Sequence, residues 1–90
     1  MKCNIRTLGR GDIKEVLCYK TEYKNVVITK LDEHLYSITH WQTGTALSKD
    51  RYTRKKDAID ALPEVIEKIR KTNKSIKQFC KEKGLKQINF

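Results

Sequence analysis

His34 and His40 are the residues of this chain whose side chains best suit proton transfer or metal binding. Neither has a second histidine, a cysteine or a carboxylate at a ligand spacing such as H-x3-H. General base catalysis would also need a nucleophile or an orienting carboxylate, and the sequence shows no such arrangement. The cysteines, Cys3, Cys18 and Cys80, are odd in number and form no C-x-x-C pair. The sequence therefore predicts a non-enzymatic protein with reduced, structural thiols and no metal or other cofactor.

Positive charge is concentrated in the last quarter of the chain. The net charge is +9, and residues 1–67 contain 12 Lys or Arg and 10 Asp or Glu. Residues 68–90 contain eight basic residues and a single acidic one, Glu82. This imbalance predicts an anionic partner, which is either DNA or RNA or an acidic protein surface, with simple solvation as the alternative. The candidate contact residues in this segment are Lys68, Arg70, Lys71, Lys74, Lys77 and Lys81.

A second group of cations begins the long predicted helix. Arg54, Lys55 and Lys56 stand where the helix dipole favours acidic side chains. Their placement carries a cost of a few tenths of a kcal/mol each, which indicates a role in binding a partner. A solvated run of charge is the alternative interpretation.

A third group surrounds the tryptophan. Alternation along the strand places Trp41 on the sheet face away from the helix, together with Lys30, Lys49 and Arg51. An aromatic ring among cations on an open sheet face is suited to stacking on bases or meeting a groove. In the alternative, Trp41 closes one edge of the hydrophobic core.

The elements that must position these residues form one α+β domain over residues 1–90. Period-two alternation with short turns predicts an antiparallel sheet of three to five strands in residues 1–50. The strongest strands are residues 25–30 and 35–41, followed by a shorter strand at 45–48 and preceded by one near 3–7. Residues 12–19 fit either a strand or a helical turn.

Helices are predicted over residues 53–84, where they cover one face of the sheet. Thr53 is a good N-cap, and apolar residues follow it at helical spacing as far as Ile69. Pro63 either kinks this helix or splits it into two. Asn73 caps a short last helix that ends at Gly84, with Lys74, Lys77 and Lys81 lined up on its outer face.

Two stretches resemble known DNA-binding families. Tyr52-Thr53-Arg54-Lys55-Lys56-Asp57-Ala58 resembles the link from the last strand into the helix of the arm-type DNA-binding domains of phage integrases. The resemblance implies a three-stranded sheet plus helix whose exposed sheet face enters a DNA groove. It would place Lys30, Ser37, Thr39, Trp41, Lys49 and Arg51 at the DNA.

Residues 75–85 resemble the first helix and turn of a helix-turn-helix, without the recognition helix. More loosely, the chain resembles small phage or mobile-element accessory proteins, which include anti-CRISPR and anti-restriction inhibitors.

Location and assembly follow from simpler signals. The first ten residues contain no hydrophobic stretch typical of a signal peptide, and no segment approaches the roughly 20 apolar residues that span a bilayer. We therefore expect a cytoplasmic protein, in a bacterial or host cell, that does not associate with membranes. An exposed edge strand, at residues 3–7 or 45–48, could pair two copies into a homodimer.

The sequence thus predicts a non-catalytic nucleic-acid-binding module. It would contact phosphates through the basic C-terminal helix and through the open sheet face. The alternative is a small phage-type inhibitor or adaptor that docks on a host protein that processes nucleic acids.

Overall fold

The computed structural model describes residues 1–6, 13–48, 50–71, 78 and 88–89. Five strands form one antiparallel sheet in which spatial order follows chain order. They are β1 (Lys2–Arg6), β2 (Ile13–Lys20), β3 (Val26–Asp32), β4 (Leu35–His40) and β5 (Thr45–Ala46). Within the part of the chain that the structure describes, one helix, α1 (Lys55–Arg70), follows the sheet. The predicted α+β class and antiparallel sheet are confirmed, and five strands is the upper end of the predicted range.

The ambiguous segment at residues 12–19 contributes a strand. β2 pairs with β1 through Cys3 opposite Val16, and with β3 through Tyr19 opposite Ile28. Pairing on both sides satisfies the backbone groups of β2, which one isolated helical turn cannot do. The helical interpretation of this segment is therefore excluded.

Helix α1 runs without a break from Lys55 to Arg70, with Pro63 inside it. Proline removes one backbone hydrogen bond, but the apolar residues on both sides of Pro63 pack on β3 and β4 and keep the helix in register. Of the two alternatives for Pro63, the split into two helices is therefore excluded. The predicted N-cap is wrong, because Arg54, in an extended conformation, holds that position without a capping side chain. Of the predicted last helix, residues 73–84, only Gln78 is among the described residues.

The two faces of the sheet bury different clusters. The helix side carries Val26, Ile28 and Ile38, which pack against one stripe of α1. That stripe consists of Ala58, Leu62, Val65, Ile66 and Ile69. The opposite face, called the inner side here, buries a second cluster of Cys3, Ile5, Val16, Cys18 and Val27, with Leu31 and Trp41 packed against it.

The sheet is curled, and contacts between distant parts of the chain close the curl around the inner side. The amide of Arg6 in β1 donates to the carbonyl oxygen of Gly44, at 2.9 Å, in the turn between β4 and β5. The Asn89 side chain accepts from the amide of Asn4 and donates to the Asn4 carbonyl, both at 2.8 Å, and also donates to the Trp41 carbonyl. The amides of Ile88 and Asn89 both donate to the carbonyl of Gln42. The outer edge of β1 is therefore hydrogen-bonded within the chain, which argues against pairing two copies through this strand.

Candidate functional site

The cations at the start of α1 have partners within the chain. The Arg54 guanidinium donates to both carboxylate oxygens of Asp57, at 3.1 and 3.2 Å. The ammonium of Lys55 lies 4.4 Å from the centre of the Tyr19 ring. Lys56 is exposed. Exposed ion pairs contribute only about 0–1 kcal/mol, so these side chains can exchange their partners for a phosphate at little cost.

The cations at the end of α1 are also exposed, and their position has a structural explanation. Lys68 pairs with Glu64 at 3.5 Å, one helical turn away, while Arg70 and Lys71 are exposed at the C-terminus. Positive charge there is stabilised by the helix dipole, independently of any partner. Lys74, Lys77 and Lys81, and likewise Lys49, lie outside the described residues.

The sheet face opposite α1 differs from the predicted open surface. Ser37 and Thr39 do lie on that face, as alternation predicted, but each is only 2% exposed because the sheet curls over them. Lys30 is on the helix side, since it follows Ile28 by two positions and pairs with Tyr36. Lys30, Ser37 and Thr39 therefore do not share one exposed sheet face in the structure.

Trp41 lies immediately after β4, with its ring packed against the inner cluster. Its amide donates to the carbonyl of Asn25 at 2.8 Å, which ties it to the turn between β2 and β3. Its indole Nε1 is buried and has no hydrogen-bond partner among the described residues. Trp41 thus closes the core, as the alternative interpretation held, and it also borders a cavity.

A cavity of about 280 Å³ opens where β1 and β5 approach each other, and we call it the arginine cavity. Three cations line it, namely Arg6, Lys14 and Arg51, and its described lining contains no carboxylate. Carbonyl oxygens orient both guanidinium groups: Arg6 Nε donates to Thr43 at 3.0 Å, and Arg51 Nη1 donates to Ser48 at 3.2 Å. Ser37, whose buried hydroxyl has no partner among the described residues, also lines this cavity.

A second cavity, of about 360 Å³, lies at the other end of the curl, and we call it the Trp41 cavity. Its walls combine aromatic and aliphatic groups with two lysines from the turn after β2. The lining residues are Met1, Lys20, Thr21, Tyr23, Lys24, Asn25, Val26, Val27 and Trp41. Again, no carboxylate is among the described lining.

The titratable groups of the core are suited to structure more than to catalysis. Burial, followed by a hydrogen bond that the Cys3 thiol donates to Cys18, raises the pKa of Cys3 to about 12, which keeps this thiol protonated and unreactive at neutral pH. Burial lowers the pKa of His40, whose Nδ1 shares a 2.8 Å hydrogen bond with the Thr43 hydroxyl. Among the described residues, no three His, Cys, Asp or Glu side chains form a group that could hold a metal ion.

Sequence reasoning selected Arg51 and Trp41 but missed their neighbours in space. Arg6, Lys14, Lys20 and Lys24 come from separate strands and turns, and only the curl brings them to the two cavities. A usable signal was the turn at residues 20–25, where two lysines flank an aromatic residue.

The described residues form a small α+β domain with a curled five-stranded sheet and two cavities that lysine and arginine side chains line. No protein-family model matches the chain, and neither a curated protein nor a solved structure does so. None of the described helices is long and apolar enough to cross a membrane.

Proposed function

We propose that this protein is a non-catalytic nucleic-acid-binding module that contacts phosphates. The observation that carries the proposal is the arginine cavity, where Arg6, Lys14 and Arg51 bring three cationic side chains to one site. Guanidinium groups hold phosphate oxygens through paired, charge-assisted hydrogen bonds, and a lysine adds a point charge. Such contacts provide affinity and little sequence readout.

In this proposal, the basic residues selected from the sequence enlarge the cationic surface around the arginine cavity. Their contribution would be long-range attraction and additional phosphate contacts, since exposed ion pairs exchange readily. They are Lys49, Arg54, Lys55, Lys56, Lys68, Arg70, Lys71, Lys74, Lys77 and Lys81.

The test is a salt titration of binding to fluorescent duplex and single-stranded oligonucleotides. Each phosphate contact contributes about 0.9 to the log-log slope on duplex DNA and about 0.7 on single strands. Lys14→Gln should therefore weaken binding and reduce the slope by the value of one phosphate contact, about 0.9 on duplex DNA or about 0.7 on a single strand. The matched control is Lys2→Gln, because Lys2 lies on the neighbouring strand, pairs with Glu15 at 3.9 Å and does not line the arginine cavity.

Two results would overturn the proposal. The first is an absence of binding to either oligonucleotide at about 50 mM salt, where phosphate contacts are strong. The second is equal binding by Lys14→Gln and Lys2→Gln. That result would attribute binding to the overall positive charge of the protein, with no specific contact at the arginine cavity.

One observation favours the second candidate, a small inhibitor or adaptor that docks on a protein. Ile13 and Leu17 on β2 are 56% and 44% exposed, and both lie beyond the area that α1 covers. Leu17 pairs with Lys2 on one side and with Lys30 on the other, so the apolar patch is flanked by cations. An acidic protein that processes nucleic acids would suit this surface. Under this candidate, Leu17→Glu abolishes capture of that protein while Lys14→Gln leaves it intact.

A further inference from the structure

We propose that the Trp41 cavity accepts an unpaired base of single-stranded nucleic acid, with the adjoining phosphate held by Lys20 and Lys24. The inference rests on the proposed function and deepens it, because it names the form of nucleic acid and a second point of contact. The evidence is the shape, the lining side chains and the charge of the Trp41 cavity, which shares no lining residue with the arginine cavity.

The local backbone holds this site in place. The Thr21 hydroxyl donates to the Val26 carbonyl at 2.7 Å and accepts from the amide of Tyr23 at 3.1 Å. Asn25 takes a left-handed conformation with φ of 62°, which reverses the chain into β3. Because the amide of Trp41 donates to the Asn25 carbonyl, the turn and the indole are fixed relative to each other. A binding cavity that is already formed loses little conformational freedom when it binds.

The lining chemistry suits a flat aromatic ligand. Tyr23 and Trp41 supply aromatic surface, and Val26 and Val27 supply apolar surface. Bases stack on such side chains without regard to sequence, because every base has a π-face. The buried, unpaired Nε1 of Trp41 is a hydrogen-bond donor, and base carbonyl oxygens and ring nitrogens are acceptors. Since Nε1 is buried in the free protein, the contact expected in the formed cavity is stacking on the indole ring.

The charge at the cavity selects an anionic ligand. Lys20 and Lys24 are both exposed and both line it. Glu22 is exposed on the same turn but is not part of the lining. A planar base attached to a phosphate matches an apolar cavity whose rim carries two lysines, whereas a neutral apolar ligand would gain nothing from them.

Strand β1 connects the two cavities. Met1 lines the Trp41 cavity, and Ile5 and Arg6 line the arginine cavity. Five steps of an antiparallel strand span roughly 17 Å. A single strand of a few nucleotides can therefore place a base beside Trp41 and a later phosphate beside Arg6, which paired bases within a duplex cannot do.

The experiment uses the intrinsic fluorescence of Trp41, which is the single tryptophan of the chain. The protein is titrated with oligothymidylate of about ten nucleotides, a length within the range that single-strand sites on OB-fold domains cover. Parallel titrations use thymidine monophosphate and a duplex. Oligothymidylate is expected to change the emission saturably at a lower concentration than either alternative. Trp41→Leu, followed with a labelled oligonucleotide, is expected to bind about 5- to 150-fold more weakly, from the known range of base-stacking contributions.

Because Trp41 also packs in the core, a second variant keeps the test decisive if Trp41→Leu fails to fold. Lys20→Gln with Lys24→Gln is expected to reduce the single-strand salt slope by about 0.7, the value for the one phosphate that the two lysines hold. The control is Lys2→Gln with Lys30→Gln, which removes the same charge from residues that do not line the Trp41 cavity.

The outcomes separate this inference from the proposed function. Tight oligonucleotide binding with unchanged Trp41 emission, and with equal slopes for the two double variants, would overturn the inference and leave phosphate binding intact. Thymidine monophosphate acting as strongly as oligothymidylate would overturn the single-strand assignment in favour of a free nucleotide. The absence of any nucleic-acid binding at low salt would overturn both proposals.

Discussion

The helix side and the inner side of the sheet are both shielded from solvent, but they are built from different side chains. On the helix side, Ile28 and Ile38 are fully buried against the aliphatic stripe of α1. On the inner side, buried Thr29, Ser37 and Thr39 accompany the thiols and aliphatic groups. Hydrocarbon packs without directional requirements, whereas every buried hydroxyl needs a hydrogen-bond partner. The helix side thus supplies aliphatic packing, and the inner side contains buried hydroxyl groups, two of which border the arginine cavity.

Coverage explains the difference between the two sides. Helix α1 supplies one continuous apolar surface to the helix side, but within the described chain the inner side is enclosed by the curling of its own strands. Such enclosure leaves openings where the strands do not meet. Val27 and Trp41 border one cavity, and Ser37 and Thr39 border the other. The arginine cavity therefore opens onto the inner side, and the Trp41 cavity lies at the end of the sheet, where Val27 and Trp41 of the inner side meet Val26 of the helix side. Substitutions beneath α1 and substitutions at the cavities should separate stability from binding.

The largest expected effect is on the helix side. Ile28→Ala should lower the free energy of unfolding by about 2–5 kcal/mol, because Ile28 is fully buried and the sheet beneath α1 cannot collapse to fill the space. Urea denaturation followed by circular dichroism measures it. The control Ile59→Ala, at a position of α1 that is 45% exposed, should change stability by about 0.5 kcal/mol or less. Similar losses from both variants would contradict the assignment of stability to this side.

Closure of the inner side should be the next most sensitive feature. Gly44 has a φ of +66°, and a Cβ there would lie 2.7 Å from the Asn4 carbonyl oxygen and 2.9 Å from the Ile5 Cα. A third obstacle, Ile88 Cδ1 at 2.5 Å, is the end of a flexible side chain, but these two are backbone atoms of β1. Gly44→Ala should therefore cost about 1–3 kcal/mol and push β1 away. Hydrogen exchange localises the effect, since the Arg6 amide that donates to Gly44 should exchange faster. Unchanged protection of this amide would show that Gly44 does not hold the curl closed.

His40 is a polar exception on the helix side, and it makes stability depend on pH. Burial lowers its pKa below the ordinary value of 6.5, so near pH 6 the unfolded chain binds more protons than the folded one. The contribution of His40 to stability should therefore be full at pH values well above 6.5 and decline as the pH falls through 6.5 toward the lower pKa of the folded state. His40→Gln should flatten this decline, with His34→Gln as the control for the exposed histidine. Parallel pH profiles for wild type and His40→Gln would refute the role of His40.

The same comparison shows how far the sequence could predict the fold. The helix side was predictable because local periodicity identifies it: alternation marked Ile28 and Ile38, and helical spacing marked the stripe of α1. The strand at residues 13–20 could not be chosen over a helical turn, since its evidence is the pairing with β1 and β3.

The inner side was not predictable from local pattern. Alternation placed Ser37 and Thr39 on one face correctly, but their polarity suggested exposure, and the curl that buries them depends on remote contacts. Asn89 bonds to Asn4, 85 positions earlier, and no local pattern reports such a contact. For the same reason, Arg6 and Lys14 could not be assigned to a site with Arg51 before the curl was known.

The smallest expected effect concerns Ser37, and it tests whether the inner side tolerates an unpaired polar group. Its hydroxyl has no partner among the described residues, so Ser37→Ala should alter the free energy of unfolding by about 0.5 kcal/mol or less, or stabilise the fold slightly. Thr29→Val is the matched comparison, because the Thr29 hydroxyl bonds with that of Thr39 at 2.9 Å, and its loss should cost about 1–3 kcal/mol. If Ser37→Ala costs as much as Thr29→Val in urea denaturation, the Ser37 hydroxyl has a partner such as an ordered water. The inner side would then be as fully satisfied as the helix side, and its cavities would be hydrated parts of the fold instead of space left for a ligand.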